Sequence, residues 1–240
     1  PVLTIDGPAG AGKGTVSRLV AQALNWAYLD SGALYRAVGI AAAWEGIGLD
    51  EPKELAACAS RTDIKFITQL HDEPVIFVNG KEATSDIRSE LAGSMASALA
   101  AQPEVREALV DLQRSYRKAP GLVADGRDMG TVIFPDAPYK FFLTASAMER
   151  AQRRYKQLME KGVSVKLDSL LHEIVARDER DANRAVAPLK PADDAIVIDS
   201  TAMPIAAVID QVLSVLPAHY LYCEDSFSSL ETSPCPGSDY

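Results

Sequence analysis

Cysteine is scarce in this sequence, and long apolar runs are absent from it. The 240 residues include only Cys58, Cys223 and Cys235, too few and too unevenly spaced for a disulfide framework or a four-cysteine zinc site. No run of about 18 apolar residues occurs, so no transmembrane helix is predicted. These two features favour a protein of the reducing cytoplasm that has no membrane partner.

An excess of basic charge is also missing. The net charge is −9, and residues 1–190, which hold all 24 Lys and Arg and 25 of the 33 Asp and Glu, are close to neutral. A protein that binds DNA or RNA is expected to carry a net basic domain. The composition therefore argues against a nucleic-acid polymer as partner, although it leaves room for a local basic pocket.

Strand and helix patterns alternate along most of the chain. Residues 2–5 are apolar and β-prone, a glycine-rich segment follows, and Val16, Leu19 and Val20 then recur at helical spacing. A helix is predicted over residues 34–44, and further strands are predicted at residues 27–29, 122–124, 140–143 and 195–198. This alternation indicates an α/β fold with a doubly wound parallel sheet, whose ligands bind at the carboxyl ends of the strands.

One segment departs from that alternation. Residues 60–88 combine short β-prone runs with Asn79-Gly80, a typical hairpin turn, and predict a small antiparallel β insert. Residues 89–118 return to a helical pattern that Pro103 divides in two. We therefore expect a single domain over residues 1–217, with a core of residues 1–59 and 119–217 and an insert of about 60–118. The acidic segment 218–240 has no periodicity and is predicted to be a disordered tail.

A phosphate-binding loop motif follows the first predicted strand. Its residues are Gly7, Pro8, Ala9, Gly10, Ala11, Gly12, Lys13, Gly14 and Thr15. In such a loop the backbone N–H groups and the helix N-terminus face phosphate oxygens, and Lys13 would reach the β and γ phosphates. The motif normally has Ser or Thr after the lysine, where this chain has Gly14. We expect Mg²⁺ to be held largely by phosphates and water, with Thr15 and Asp125 acting through water.

Two further strand ends carry groups that suit phosphate. Asp30-Ser31-Gly32-Ala33-Leu34-Tyr35-Arg36 opens a helix after the second strand, and Asp125-Gly126-Arg127-Asp128 follows the strand at residues 122–124. Arginine binds phosphate with a two-pronged guanidinium fork. A protein that only binds one nucleotide needs one phosphate site, whereas a phosphoryl transferase between two nucleotides needs two that face each other.

Four separated motifs in this chain resemble those of bacterial cytidylate kinases. They are Gly7 to Thr15, Asp30 to Arg36, Asp125-Gly-Arg-Asp-Met-Gly-Thr131, and Arg177-Asp-Glu-Arg-Asp-Ala-Asn-Arg184-Ala-Val-Ala-Pro188. The resemblance covers residues 2–216. It implies a fold of the P-loop nucleoside monophosphate kinase type and transfer of the γ-phosphoryl group of ATP to CMP or dCMP, with Mg²⁺. We expect the protein to act as a monomer.

The resemblance also implies a role for individual residues. Cytosine would be bound by Ser97, Arg106 and Asp128, the CMP phosphate by Arg36, Arg127 and Arg184, and the sugar by Ser31, Arg177 and Asp181. Tyr35, Asp125 and Gly126 would complete the CMP site. A short helical lid over about residues 150–166 would bring Arg150, Arg153 and Arg154 to ATP, and Lys13, Arg127, Arg153 and Arg184 would be catalytic.

Several of these residues have a simpler alternative interpretation. On a helix, Arg150, Arg153 and Arg154 also suit a solvated face, and Arg177, Arg180 and Arg184 have spacings that suit surface ion pairs. Two other functions share the phosphate loop. A guanine-nucleotide switch should carry Asn-Lys-x-Asp, which does not occur in the chain. A kinase for another nucleoside monophosphate would keep Lys13 and Arg36 but would need different groups around the base.

Overall fold

A computed structural model describes residues 1–67 and 74–221. Its strands and helices follow in this chain order: β1 Val2–Asp6, α1 Lys13–Leu24, β2 Ala27–Asp30, α2 Ser31–Glu45, α3 Pro52–Arg61, β3 Ile64–Ile67, β4 Val75–Val78, β5 Lys81–Glu82, α4 Thr84–Ile87, α5 Glu90–Leu99, α6 Pro103–Ser115, β6 Leu122–Gly126, β7 Tyr139–Thr144, α7 Ala147–Glu160, α8 Leu167–Asn183, β8 Ile196–Asp199 and α9 Ile205–Ser214. A π-helical turn, Met129–Ile133, follows β6.

The central sheet has the strand order β2-β6-β1-β7-β8, and all its neighbouring strands are parallel. Both faces of β1 are covered: Leu3 packs in a cluster with residues of α1 and α9, and Val2 packs with Leu34 of α2 and Met129. Strands that are buried on both faces have a nearly continuous apolar sequence, as residues 2–5 do. The predicted doubly wound parallel sheet is confirmed.

The register of the sheet brings three strand ends together. Asp6 at the end of β1 is paired with Gly126 of β6, and Asp30 at the end of β2 is paired with Asp125. β6 is therefore two residues longer than the sequence predicted, and Asp125 belongs to the strand itself. The segments that leave β1, β2 and β6 start side by side at one edge of the sheet.

Within the insert predicted over residues 60–88, β3, β4 and β5 form an antiparallel sheet in that order. The two ends of the predicted insert are helical instead: residues 60–61 end α3, and Thr84–Ile87 form α4. The hairpin turns at Asn79 and Gly80, both with positive φ, as the sequence indicated. Residues 68–73, part of the predicted insert, lie outside the described residues. The helical segment that follows consists of α5 and α6, and Pro103 stands in the first turn of α6, as predicted.

The end of the described chain differs from the prediction. Ala218–Tyr220 form a short 3₁₀ helix, and the ring of Tyr220 lies edge-on to Trp26 with 5.1 Å between the ring centroids. The folded part thus extends beyond residue 217, because an aromatic side chain follows Pro217 and packs on the domain. Residues 222–240 of the predicted tail lie outside the described residues. Within the described ranges, no helix is both long and apolar enough to span a membrane.

Candidate active site

The phosphate-loop motif lies between β1 and α1. Gly7 has φ 148°, and a Cβ atom there would stand 1.9 Å from the carbonyl oxygen of Leu143, so this position has no room for any side chain. Gly12 caps α1 in a left-handed conformation. The first N–H groups of α1 have no partners within the helix and point to the space in front of the loop, which suits an anion.

Lys13 and Asp125 are buried beside each other under this loop. The Lys13 ammonium donates a hydrogen bond to the Pro8 carbonyl (2.9 Å) and lies 4.0 Å from Asp125 Oδ1. Burial, together with the nearby Arg127 guanidinium, lowers the pKa of Lys13 to about 7. Burial also raises the pKa of Asp125 to about 7, against the attraction of Lys13. A phosphate bound in front of the loop would favour the charged form of Lys13.

Four arginines gather across the cleft from Lys13. Arg36 donates to the carbonyl of Ile87 (3.0 Å), and Arg127 donates to a carboxylate oxygen of Asp181 (3.1 Å). Within residues 1–67 and 74–221, no hydrogen-bond partner is found for the buried Arg177 Nε and Arg184 Nη2. Burial and the neighbouring Arg127 lower the pKa of Arg177 to about 10. Such a group of partly unpaired cations is suited to an anion that would supply the missing acceptors.

Behind the arginines lies a set of buried polar side chains. Arg106 of α6 forms an ion pair with Asp128, in which both side chains are only 6% exposed. The Ser97 hydroxyl donates to Asp181 Oδ1 (2.7 Å), while the hydroxyl of Ser31 donates to Gln113 (2.8 Å). The groups expected at the cytosine and the sugar therefore lie together, although they come from four helices and the segment after β6.

Three cavities adjoin at this site. We name them the loop cavity, between the phosphate loop and α7, the junction cavity, between the loop and the arginines, and the inner cavity, around Asp128. The loop cavity holds about 640 Å³ and the junction cavity about 330 Å³, within the range of small-molecule sites. The predicted residues that line them are Gly10 to Thr15 and Arg153 for the loop cavity; Ala9, Gly10, Lys13 to Thr15, Arg36, Asp125, Arg127 and Arg177 for the junction cavity; and Ser31, Tyr35, Ser97, Arg106, Gly126, Arg127, Asp128, Arg177, Asp181 and Arg184 for the inner cavity.

The three arginines expected in a lid over ATP are separated in the structure. Arg153 lines the loop cavity and donates to the Ser200 carbonyl (2.7 Å). Arg154 pairs instead with Glu90 of α5. Arg150 is 4% exposed and bonds the carbonyls of Ala9 and Ala145 and the carboxylate of Asp178. Its donors are thus occupied by protein groups, and it joins α7 and α8 to the phosphate loop rather than facing the loop cavity.

Two of the three arginines in and directly after α8 do not lie on the surface, as the alternative interpretation of surface ion pairs would require. Arg184 is 9% exposed, and with Arg177 it lines the inner cavity. Arg180 is exposed and lies 3.5 Å from the Ser94 hydroxyl. Only Arg180 of these three therefore resembles the solvated residue that helical spacing allowed.

Sequence reasoning missed two residues that support the site. Asp6 accepts hydrogen bonds from the backbone N–H groups of Met129 and Gly130 (both 2.8 Å). Gln113 is fully buried and bonds Ser31. Gln113 gave no signal, because one polar residue on an amphipathic helix looks like a surface position. Asp6 did give a signal, because an acidic residue stands directly after a run that predicts a strand buried on both faces.

The residues fit a magnesium ion that is bound mainly by phosphates and water. Among residues 1–67 and 74–221, no three His, Cys, Asp or Glu side chains converge as a metal site. Thr15 is exposed and lines both the loop and junction cavities, and Asp125 lines the junction cavity. A hydroxyl and one carboxylate are oxygen donors that Mg²⁺ accepts, directly or through water.

Comparison with known proteins gives one matching family and several solved structures of low similarity. A family model described as cytidylate kinase matches residues 3–218. Among solved structures, an uncharacterized protein from Eubacterium ventriosum is 12% identical, with 89% of this chain and 96% of that chain covered and a TM-score of 0.47. TT1252 from Thermus thermophilus is 19% identical (90% and 97% covered, TM-score 0.42), and a gluconokinase from Sinorhizobium meliloti is 18% identical (89% of each chain covered, TM-score 0.41). Because the family model spans nearly all of the described chain, the protein belongs to the cytidylate kinase family and is a nucleotide kinase of the P-loop type.

Proposed function

We propose that this kinase transfers the γ-phosphoryl group of ATP to CMP or dCMP, giving ADP and the cytidine diphosphate. One observation carries the proposal: the phosphate loop with Lys13 faces the arginine group across the junction cavity, and the inner cavity behind the arginines holds the buried Arg106–Asp128 pair. ATP would occupy the loop cavity, and the acceptor nucleotide would bind with its phosphate in the junction cavity and its base toward the inner cavity. The inner cavity holds only about 40 Å³, so the base could enter only if this cavity widens.

The chemistry of the inner cavity supports cytosine as the base. Cytosine offers an amino donor at N4 beside acceptors at N3 and O2, and these match the Asp128 carboxylate and the Arg106 guanidinium. Uracil has a carbonyl at C4 and an N–H at N3, so it would set an acceptor against the carboxylate. Such a mismatch in a buried polar site can cost on the order of 10⁴ in discrimination.

The reaction requires alignment and charge stabilisation rather than a protein nucleophile. An oxygen of the CMP phosphate attacks the γ phosphorus, a new P–O bond forms, and the bond to the β–γ bridging oxygen breaks, so that ADP leaves with the electron pair. Lys13, Arg127 and Arg184 would stabilise the charge on the transferred group, and Arg153 would do so from the side of α7. When bound with ATP, Mg²⁺ would neutralise phosphate charge, and Thr15 and Asp125 would help to hold it, directly or through water.

Turnover with different acceptors tests the proposal. Purified protein with ATP and Mg²⁺ should release ADP mainly with CMP and dCMP and far less with UMP or AMP. Lys13→Met should lower kcat by about 10²–10³, as the loss of a charge-stabilising donor does, while Lys53→Met, which changes an exposed lysine of α3, should leave kcat unchanged. Chelation of Mg²⁺ by EDTA should stop the reaction. Equal turnover of UMP or AMP would contradict the assignment of the base.

A further inference from the structure

We infer that Asp6 is a positioning residue for acceptor selection, because its carboxylate holds the backbone that carries Asp128. This inference rests on the proposed function, since it concerns the base that the inner cavity accepts. Asp6 lies at the end of β1, is 4% exposed and lines none of the three cavities. Asp6 would therefore not contact the acceptor; it would act through the segment it holds, and its charge also interacts with Lys13 and Asp128.

Both oxygens of this carboxylate are used on the same short segment. Oδ1 accepts the N–H of Met129, and Oδ2 accepts the N–H of Gly130, each at 2.8 Å. These residues open the π-helical turn, whose N-cap is Asp128. The Asp128 side chain does not cap the turn and is instead paired with Arg106. Asp6 thus supplies the N-terminal acceptors of the turn and leaves Asp128 available to the inner cavity.

Burying a carboxylate at this position costs desolvation free energy, so packing alone does not explain why Asp6 stands here. Burial raises the pKa of Asp6 to about 6, while the two backbone N–H groups act in the opposite direction. An apolar residue would avoid the desolvation of a charge but would leave two buried N–H groups without acceptors. Only a carboxylate offers two equivalent acceptor oxygens to adjacent N–H groups.

The segment also has little room to move. A Cβ atom on Gly130 would stand 2.9 Å from the Thr4 hydroxyl, and one on Gly126 would stand 2.7 Å from the Met129 side chain. β1 therefore fixes the turn in two ways: Thr4 contacts it sterically, and Asp6 binds it through hydrogen bonds. A shift of the turn by about 1 Å would move Asp128 relative to the base, and displacements of that size can cost about 10²-fold in rate.

Asp6→Asn tests the hydrogen bonds at nearly unchanged volume, because an amide offers one oxygen where the carboxylate offers two. We expect kcat/KM for CMP to fall by about 10- to 100-fold and the preference for CMP over UMP to fall by a similar factor. The KM for ATP should change less than the KM for CMP, since Asp6 lines no part of the loop cavity and reaches it only through its charge interaction with Lys13. The matched control is Thr4→Val, on the same strand and against the same turn. Among the described residues the Thr4 hydroxyl has no hydrogen-bond partner, so this variant should keep the CMP preference of the wild type.

An unchanged CMP preference in Asp6→Asn would overturn the inference. Equal falls in kcat/KM for ATP and for CMP, together with a lower Tm, would also overturn it, because that pattern indicates a structural role alone. If Asp6→Asn does not fold, amide hydrogen exchange of the wild-type protein tests whether Asp6 holds the turn. We expect the Met129 and Gly130 amides to be protected before any nucleotide is added, and exchange at the rate of an open loop until CMP binds would overturn the inference.

Failure of the proposed function gives a different result. A wild-type enzyme that prefers another nucleoside monophosphate over CMP contradicts the assignment of cytosine. The Asp6→Asn experiment is then repeated with that acceptor. The inference requires that kcat/KM for this acceptor and the preference for it both fall, and it is overturned if both are retained.

Discussion

Arg106 on α6 and Asp128 after β6 form an ion pair in which each side chain is only 6% exposed. The two residues are 22 positions apart in the chain, and both line the inner cavity. Arg184 Nη2 is 3.9 Å from the other carboxylate oxygen. A buried pair of this kind offers a donor and an acceptor side by side, and it is expensive to break because one charge would remain unpaired.

Arg106→Met should lower both stability and acceptor use. The Asp128 carboxylate would stay buried without its hydrogen-bonded partner, and we expect a loss of about 3–5 kcal/mol in the free energy of unfolding. The KM for CMP should rise at least about tenfold, while the KM for ATP should not change. Urea unfolding and steady-state kinetics measure the two effects. Glu107→Met, at an exposed charged residue of the same helix, is the control, and unchanged CMP kinetics in Arg106→Met would remove Arg106 from the acceptor site.

Asp178→Ala should destabilise the protein because it leaves Arg150 buried and unpaired. The side chains of this pair are 4% (Arg150) and 27% (Asp178) exposed, and we expect a loss of about 3 kcal/mol in denaturant unfolding. Since Arg150 also holds the Ala9 carbonyl, the KM for ATP should rise. The control is Asp136→Ala, which breaks an ion pair with Arg117 whose side chains are 46% (Arg117) and 60% (Asp136) exposed, and it should cost less than about 1 kcal/mol. Equal losses in the two variants would contradict this prediction.

Gly7→Ala should prevent normal folding of the phosphate loop. The new Cβ atom would overlap the Leu143 carbonyl, a backbone atom of the central sheet that cannot rotate away. Gly46 also has positive φ, but no atom lies within 4 Å of its Cβ position. We therefore expect Gly46→Ala to cost only about 1–2 kcal/mol from the left-handed backbone. Thermal unfolding of both variants checks the contrast, and similar Tm values would show that the overlap is relieved without cost.

The stability of Asp6→Asn relative to the wild type should depend on pH. Burial raises the pKa of the Asp6 carboxyl from 3.8 to about 6, so the native state holds this proton more tightly than the unfolded chain does. The resulting stabilisation is complete below pH 3.8 and is lost as pH rises through 6. Relative to the wild type, the free energy of unfolding of the variant should rise by about 2 kcal/mol between pH 4 and pH 7.

Urea unfolding at several pH values measures this difference, and Asp194→Asn provides a control of opposite sign. The hydrogen bond from Lys140 lowers the pKa of the Asp194 carboxyl, so its contribution is present above the unfolded pKa and is lost as pH falls. For that variant, the free energy of unfolding relative to the wild type should decrease as pH rises. A pH-independent difference for Asp6→Asn would contradict a raised Asp6 pKa.

Local patterns predicted most of the fold, and their errors have identifiable causes. Continuous apolar runs identified the buried strands, Asn79-Gly80 identified the hairpin, and Pro103 marked the start of α6. The π-helical turn Met129–Ile133 was missed, because its acceptors come from Asp6, which is more than a hundred positions away in the chain. The end of the domain was placed too early, because Tyr220 is ordered by contact with Trp26 and not by any local pattern.

The sequence by itself determined the phosphate loop, the alternation of strands and helices and the family, since each of these depends on neighbouring residues or on motifs in order. Tertiary structure decided how the charged side chains are used. Arg150, Arg153 and Arg154 lie within one helix, yet one is buried against Asp178, one lines the loop cavity and one pairs with Glu90. Helical spacing cannot distinguish these three environments, because they depend on which distant carboxylates and carbonyls the fold brings against each face of α7.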